Sequence, residues 1–308
     1  MKRQIIIDKA KELGFDLVGF AKYQLLEEET TVLEKWLANK YNAGMAYMER
    51  NIDKRKDVKQ ILGSTKSIIS LGMNYYVDEQ FENEKDSGKV SRYAWGKDYH
   101  FTIWEKLDEL SEYLKKENPL IELKTYVDTG PTMDKMWAVK SGLGWQGKHS
   151  NIISKKIGSW FFIATILINQ EFDEYNSEIA NFCGTCTACI DACPTNAIVE
   201  EYVVDANKCI SYLTIENKNE IPNEFIGKFE SWIFGCDICQ DVCPWNKKLS
   251  KQTKVIDFLK TENKTLKLQE ILEMENQEFK EKFKESPILR SKLKGLKRNA
   301  EFLLKSEK

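Results

Sequence analysis

The chain has 308 residues, 8 Cys, 2 His and a formal net charge of −2, a length for about two or three domains. Hydrophobic residues at 42% suffice for a core, and charged residues at 31% exclude a membrane-embedded protein. The longest strongly apolar run, Trp160 to Ile168, is nine residues long; a spanning helix needs roughly 20, so the run reads as a buried strand.

The N-terminal sequence MKRQIIIDKAKELGF reaches Asp8 and Lys9 too early for a signal peptide. A cytoplasmic protein is expected. Ile5 to Leu13 reads as a short amphipathic helix, Asp16 to Phe20 as a strand, and Lys66 to Met73 as a buried strand with β-branched residues. Phe81 to Lys89 reads as a polar loop. Phe101 to Lys116 is periodic in apolar residues and predicts a helix. A strand ends at Tyr126-Val127-Asp128. Pro131 suits the first turn of the next helix, and Gly142 stops it. Asn151 to Ser154 and Ser159 to Ile168 predict a hairpin. Residues 1–172 thus read as an α/β or α+β domain of ordinary size.

Residues 173–250 hold every cysteine and half of the six prolines. Residues 251–308 carry 15 Lys/Arg and 10 Asp/Glu, a net of +5 against −7 for the rest. Within Lys282 to Arg298 seven residues are basic and only Glu285 is acidic. The pattern is helical, with Leu266, Leu268, Ile271 and Leu272 first and Leu293, Leu296, Phe302 and Leu303 later.

All eight cysteines lie between Cys183 and Cys243. In a reducing cytoplasm that argues for metal rather than disulfides. Two histidines leave little room for His-based zinc or iron sites. The first motif is Cys183-x2-Cys186-x2-Cys189-x3-Cys193-Pro194. A shift of 50 residues lays Cys186, Cys189, Cys193 and Pro194 on Cys236, Cys239, Cys243 and Pro244. Cys183 falls on Ile233, and Cys209 is left to fill the missing place. The first motif is the bacterial ferredoxin run for [4Fe–4S] clusters, whose fourth cysteine serves the other cluster. That crossing rule assigns Cys183, Cys186, Cys189 and Cys243 to one cluster, and Cys193, Cys209, Cys236 and Cys239 to the other. Two four-cysteine zinc sites are the other way to use these thiols, but zinc does not require the x2-x2-x3-Pro run. Two neighbouring clusters imply a one-electron relay.

Gly142-Leu143-Gly144-Trp145-Gln146-Gly147 matches G-x-G-x-x-G. A dinucleotide fingerprint must follow a strand and open a helix, whereas here a helix precedes and a strand follows. A tight turn is expected, with backbone open to a large flat cofactor. Asp98-x-His100 begins like the D-x-H-x-x-G motif that supplies a histidine to cobalt. The last position is Ile103, so His100 is a poor cobalt ligand. Asp134, close after Pro131, suits a helix N-terminus on dipole grounds alone.

Taken together, these motifs resemble the epoxyqueuosine reductase family, iron–sulfur and cobalamin enzymes of tRNA modification. The resemblance is carried by Ser91 to His100, by Val127-Asp128-Thr129-Gly130-Pro131 through Asp134, by Gly142 to Lys148, and by the whole Cys183–Trp245 region. Gly295 to Ala300 is similar to that family's helical-repeat tail. The implied fold is α+β. It comprises an N-terminal α/β cobalamin-binding domain over 1–172, a ferredoxin-like domain with two [4Fe–4S] clusters over 173–250, and a short helical, HEAT-like tail over 251–308.

The resemblance also implies the chemistry. Cobalamin bound base-off, with no protein histidine on cobalt, is reduced through the clusters by an external electron donor. The epoxide of epoxyqueuosine in a tRNA anticodon loop is then opened, its oxygen leaves as water, and queuosine results. Asp134 occupies the place of the family's proton donor, where Glu is often found, and Lys97 stands where Arg is usual. An exposed Asp, with a pKa of about 4, is ionised at neutral pH. Asp134 is therefore expected to be desolvated, with a raised pKa. Arg55, Asp57, Lys97, Tyr99, His100, Lys148, His149, Ser150, Gly158 and Ser211 are implied cofactor contacts. For tRNA the electrostatic footprint is Lys282, Lys284, Arg290, Lys292, Lys294, Lys297 and Arg298, with Thr214, Glu216, Trp232 and Trp245 near the clusters. A monomer is expected, without membrane contact. Two other readings stand beside this one: a related reductase of a small organohalide, and a non-catalytic electron carrier.

Overall fold

Eight consecutive buried positions, Ser67–Asn74, form the second strand of the main sheet in the computed structural model, which describes residues 1–82 and 85–305. The strands in chain order are β1 (Leu17–Lys22), β2 (Ser67–Asn74), β3 (Ser87–Val90), β4 (Leu123–Tyr126), β5 (Trp145–Gln146), β6 (Ile152–Ile153), β7 (Phe161–Ile168), β8 (Ile198–Glu200), β9 (Val203–Val204), β10 (Trp232–Phe234) and β11 (Thr265–Lys267). The main sheet has the order β1-β2-β7-β4, and every pair in it is antiparallel. The architecture is therefore α+β. Side chains alternate across β2. Ile69, Leu71 and Met73 meet the helices Arg3–Glu12 and Tyr99–Glu117. Ile68 packs with Trp137 of the helix Asp134–Lys140 on the other face.

Several expectations change. Pro131 lies ahead of its helix, which opens at Asp134 itself; Gly142, at φ +67°, does follow the helix end. The predicted hairpin does not form. β6 pairs with β5, and Ser154↔Gly158 is an isolated bridge, while β7 lies between β2 and β4. A strand as apolar as β7 is buried on both faces, which a two-stranded hairpin cannot provide. The polar loop from Phe81 ends early, because Ser87–Val90 is strand β3; Asn83 and Glu84 lie outside the described residues.

A second sheet has the order β10-β3-β11, with β10 parallel and β11 antiparallel to β3. Leu266, expected on a helical face, thus sits in β11 opposite Gly88. A Cβ at Gly88 would stand 2.5 Å from the Ile233 Cβ, so this crossing requires glycine. Helices follow over Leu268–Glu273, Asn276–Lys282 and Lys292–Lys305; residues 306–308 of the expected tail lie outside the described residues. One core joins Val90 and Trp95, Leu213 and Phe234, and Leu266, Leu296 and Leu303. The C-terminal segment is built into the body of the protein. No helix among the described residues is long and apolar enough to cross a membrane.

The 50-residue repeat is visible in the backbone. Ala188–Asp191 and Ile238–Asp241 are matching short helices. Ile190 donates to Thr187 O and Gln240 donates to Asp237 O, both at 2.8 Å. Arg92 ties the second copy to the first segment. Its guanidinium meets Asp241 Oδ1 at 2.8 Å and Asp237 Oδ2 at 3.5 Å, and its N–H and the Ser91 hydroxyl donate to Asp237. The Arg92 and Asp237 side chains are 4% and 1% exposed. Removing one partner strands a buried charge. Arg92→Ala is expected to cost about 3–5 kcal/mol, seen as a lowered thermal unfolding midpoint; an unchanged midpoint would refute the assignment.

Candidate active site

Two cavities divide the cysteines. One, of about 420 Å³, is lined by Cys193, Cys209, Cys236 and Cys239. The other, of about 350 Å³, is lined by Cys183, Cys186, Cys189 and Cys243. These are the two crossed sets expected from the repeat. Each set rings a space. Among the described residues no group of three or more His, Cys, Asp and Glu side chains is gathered on a single ion-sized point. The Ala197 N–H donates to Cys193 Sγ at 3.2 Å, the kind of hydrogen bond to sulfur that cluster sites use. Burial pushes the Cys189 thiol up to about 11 and holds Cys236 and Cys239 well above the ordinary range. As free thiols they are neutral, so loading iron on them releases protons.

Beyond its cysteines the larger cavity is walled by Tyr75, Tyr93, Phe161, Phe162 and Ile163, with Lys135, Ser150 and Ser211 as polar points. Lys135 Nζ donates to Ser150 O and Asn151 Oδ1, both at 3.0 Å. Asp134, its neighbour in the chain, is half-buried and outside the lining of this cavity. Thr132 and Thr165 hydroxyls donate to its Oδ1 at 2.7 and 2.6 Å, which leaves Oδ2 free of these bonds. Burial raises the Asp134 pKa, partly opposed by the two threonines. The Arg55 guanidinium acts in the same downward sense and donates to Thr132 O at 3.3 Å.

A second carboxylate behaves oppositely. Asp128 turns through the left-handed region at φ +48°, which Asp tolerates. Burial works upward on it, but hydrogen bonds from His100 and Tyr99 hold it below the ordinary range. The Tyr99 hydroxyl donates to Asp128 Oδ2, and His100 bonds Asp98 at 2.7 Å and Asp128 at 3.3 Å. Both imidazole nitrogens are thus committed. Rings connect this cluster to the cavity: His100 stacks on Tyr99 and Tyr99 on Phe162, each with centroids 4.1 Å apart.

The other expected cofactor contacts divide. Ser150, Ser211 and His149 line the larger cavity, and Lys148 and His149 the smaller. Lys148 pairs with Glu201 at 2.6 Å, and Lys97 with Asp257 at 3.6 Å. Asp57 caps the turn Val58–Gln60 and accepts from Tyr23 at 3.0 Å. Gly158, at φ +70°, leaves room for Asn246, whose Oδ1 a Cβ would meet at 2.2 Å. Asn246 accepts from Ser159 N at 2.6 Å and donates to Gln240 O at 2.8 Å, clasping the chain after Cys243 to the first segment. Asp57 and Gly158 therefore carry structural bonds.

The basic stretch is only partly free. Lys284, Lys292 and Lys294 are exposed, Lys297 is half-buried, and Lys282 lies 3.8 Å from Glu270. Arg290 pairs with Glu216. Two residues expected to meet nucleic acid, buried Thr214 and half-buried Arg298, are engaged within the protein. Thr214 is fully buried, donating to Ile210 O and accepting from Gly235 N. Arg298 donates to the carbonyls of Leu213, Asn217 and Asn219. Trp232 is likewise buried, while Trp245 is half-buried and donates to Phe182 O at 3.3 Å. Thr165 and Thr132 were not anticipated. The signal for Thr165 was its place as the polar residue inside the apolar run Trp160–Ile168.

Comparison with known proteins decides the family. Residues 55–129 match the family model described as "Epoxyqueuosine reductase QueG, DUF1730". Residues 182–246 match that of the 4Fe-4S double cluster binding domain. The epoxyqueuosine reductase of Cellulophaga algicola is 47% identical over 299 residues, covering 97% of each chain. That of Leadbetterella byssophila is 49% identical over 295 residues, covering 96% of this chain and 95% of its own. The chain belongs to the epoxyqueuosine reductase family. A crystal structure of epoxyqueuosine reductase with a tRNA-Tyr epoxyqueuosine-modified stem loop matches with a TM-score of 0.91 at 33% identity, covering 98% of this chain and 80% of that one. The residues present fit this family's cofactors. Two four-thiol cavities suit two clusters. The apolar aromatic wall with scattered polar points suits a flat macrocycle with polar side groups, and Arg55 Nε and His149 Nε2 are buried donors without a protein acceptor.

Two outcomes follow from the geometry. The double variant Cys183→Ser, Cys243→Ser removes ligands from one set alone, so iron content is expected to fall from about eight to about four per chain. An uncrossed arrangement would lose both clusters. For His100, burial alone lowers the pKa, but hydrogen bonds to Asp128 and Asp98 raise it to about 9. The stability these pairs contribute is full below about 6.5, the unfolded value, and is lost as pH rises through about 9. The stability gap between wild type and His100→Gln, measured by urea unfolding, is expected to be wide at pH 6 and nearly closed at pH 9.5.

Proposed function

We infer that this chain is an epoxyqueuosine reductase, reducing epoxyqueuosine to queuosine in the anticodon loop of a tRNA. The observation that carries this reading is the larger cavity. It has one four-cysteine set on one side and, on the other, the aromatic wall and Lys135, the immediate neighbour of Asp134. The thiols and the residue next to the acid thus line one largely apolar space. Removing an epoxide oxygen as water takes two electrons and two protons. The clusters deliver electrons singly. Cobalamin, when bound, would supply a strongly reducing centre to this space. The chain's own residues do the rest.

We propose Asp134 as the proton donor. Burial favours its protonated form, and Thr132 and Thr165 fix its orientation through Oδ1, so the proton sits on Oδ2. Binding without a protein histidine on cobalt is supported by the bonds of both His100 nitrogens to Asp98 and Asp128. Tyr99, His100, Lys97, Lys148, Ser150, Ser211 and Arg55 are proposed to bound the cofactor. Lys284, Lys292, Lys294, Lys297 and Arg290, in the helical, repeat-like segment 251–308, are proposed to meet the tRNA backbone. The division of labour is then cofactor binding over 1–172, electron transfer over 173–250 and RNA contact over 251–308. The protein acts as a cytoplasmic monomer fed by an external one-electron donor.

The test is direct. Reconstituted protein with cobalamin, a reductant and epoxyqueuosine-tRNA is expected to yield a nucleoside lighter by one oxygen on mass analysis. Asp134→Asn is expected to lose turnover by about 10²–10⁴-fold while binding cobalamin as before. Wild-type turnover in that variant would sink the role of Asp134. Cluster absorbance without cobalamin uptake would instead mark an electron carrier.

A further inference from the structure

His149 is the only residue among those described that lines both cysteine cavities. It lies in the turn between β5 and β6 and is 5% exposed. Its Nδ1 accepts the N–H of Asn151 at 3.2 Å. A backbone N–H only donates, so Nδ1 is bare and the proton of the neutral ring is on Nε2. Turning the ring over would set a carbon against the Asn151 N–H. Burial, and then the Lys135 ammonium, lower the His149 pKa to about 4, so the ring stays neutral in the working range. Nε2 is buried and has no acceptor in the protein. A buried donor without a partner is costly and calls for an explanation. Both cavities that meet at this ring have four thiols in their lining.

We propose that His149 is a positioning residue between the two clusters, its Nε2–H donating to a cluster sulfur and raising the reduction potential of that cluster relative to the other. The proposal rests on the reading that both cavities hold [4Fe–4S] clusters. A donor aimed at sulfur favours the reduced, more negative state, and hydrogen bonding to sulfur is one of the levers that set such potentials. No bond breaks and no proton leaves the ring. One electron enters the cluster and one later departs. Because the ring stands between the two sets, its bond sets the step in potential across the relay.

The experiment uses the full chain loaded with both clusters, without cobalamin, and reduced with dithionite. The chain has two histidines, so ¹⁵N-histidine labelling is simple to assign. Pulsed EPR is expected to show a ¹⁵N coupling to a reduced cluster that survives His100→Gln and disappears in His149→Leu. In potentiometric titration His149→Leu is expected to lower one midpoint. At fixed potential the reduced-to-oxidised ratio of that cluster then falls about tenfold, equivalent to 59 mV for one electron. His149→Gln keeps an N–H donor and is expected to retain most of the wild-type value. Absence of ¹⁵N coupling in the wild type, or midpoints unmoved in His149→Leu, would overturn the proposal. The wild-type coupling decides the matter even where the leucine variant does not fold. Wild-type protein that takes up no pair of clusters would overturn the underlying reading, and the proposal with it.

Discussion

The cysteine region answers to one constraint: four thiols must stand around each of two spaces, and neither set can come from one stretch of chain. Cys243 must return to the neighbourhood of Cys183, and Cys193 must face Cys209, Cys236 and Cys239. The matching helices at Ala188–Asp191 and Ile238–Asp241 supply the equivalent turns. The Asn246 clasp and the Arg92 anchor then hold this double loop against the first segment. Arg92 suits that place because a guanidinium can serve Asp237 and Asp241 at once. Its partners come from the short helix that carries Cys239.

Around the cofactor space the structure separates two carboxylates that stand six positions apart in sequence. Asp128 is surrounded by donors and favours its ionised form. Asp134 is half-buried, held by two neutral hydroxyls, and desolvation shifts it toward the protonated form. Opposite environments for neighbouring acids are a way to obtain a fixed anion and a proton source from one residue type. The ring stack from His100 through Tyr99 to Phe162 ties the anion to the same wall that bounds the cavity.

The sequence was most legible where a residue's chemistry is local. The cysteine sets follow from the repeat, the crossing rule of ferredoxin runs and the one cysteine left over, Cys209. β2 and β7 announce themselves as apolar runs. Asp134 is recognisable from its motif, but its environment is not, since Thr165 comes from a strand 31 positions away. The hairpin expected at Asn151–Ile168 failed for a related reason. Local pattern identifies a buried strand but not its neighbours, and β7 found β2 and β4 rather than β6. Arg298 illustrates the same limit. A basic residue in a basic stretch reads as surface, yet three carbonyls of the segment before β10 claim it.

Strand β3 has consequences for how the chain is made. Its hydrogen-bonding partners are β10 and β11, which lie more than 140 and 170 residues further along. A ribosome releases the chain N-terminus first. The main antiparallel sheet, complete once β7 has emerged, can assemble while both edges of β3 are still bare. Its glycine and its neighbours then wait for strands that flank the second cysteine motif on either side. Contacts of such long sequence separation form slowly. Closure of the small sheet is therefore a late event, and it traps the second cysteine copy between two elements that are already paired. The second cysteine motif is thus framed by two strands whose shared partner in this sheet was made long before either of them.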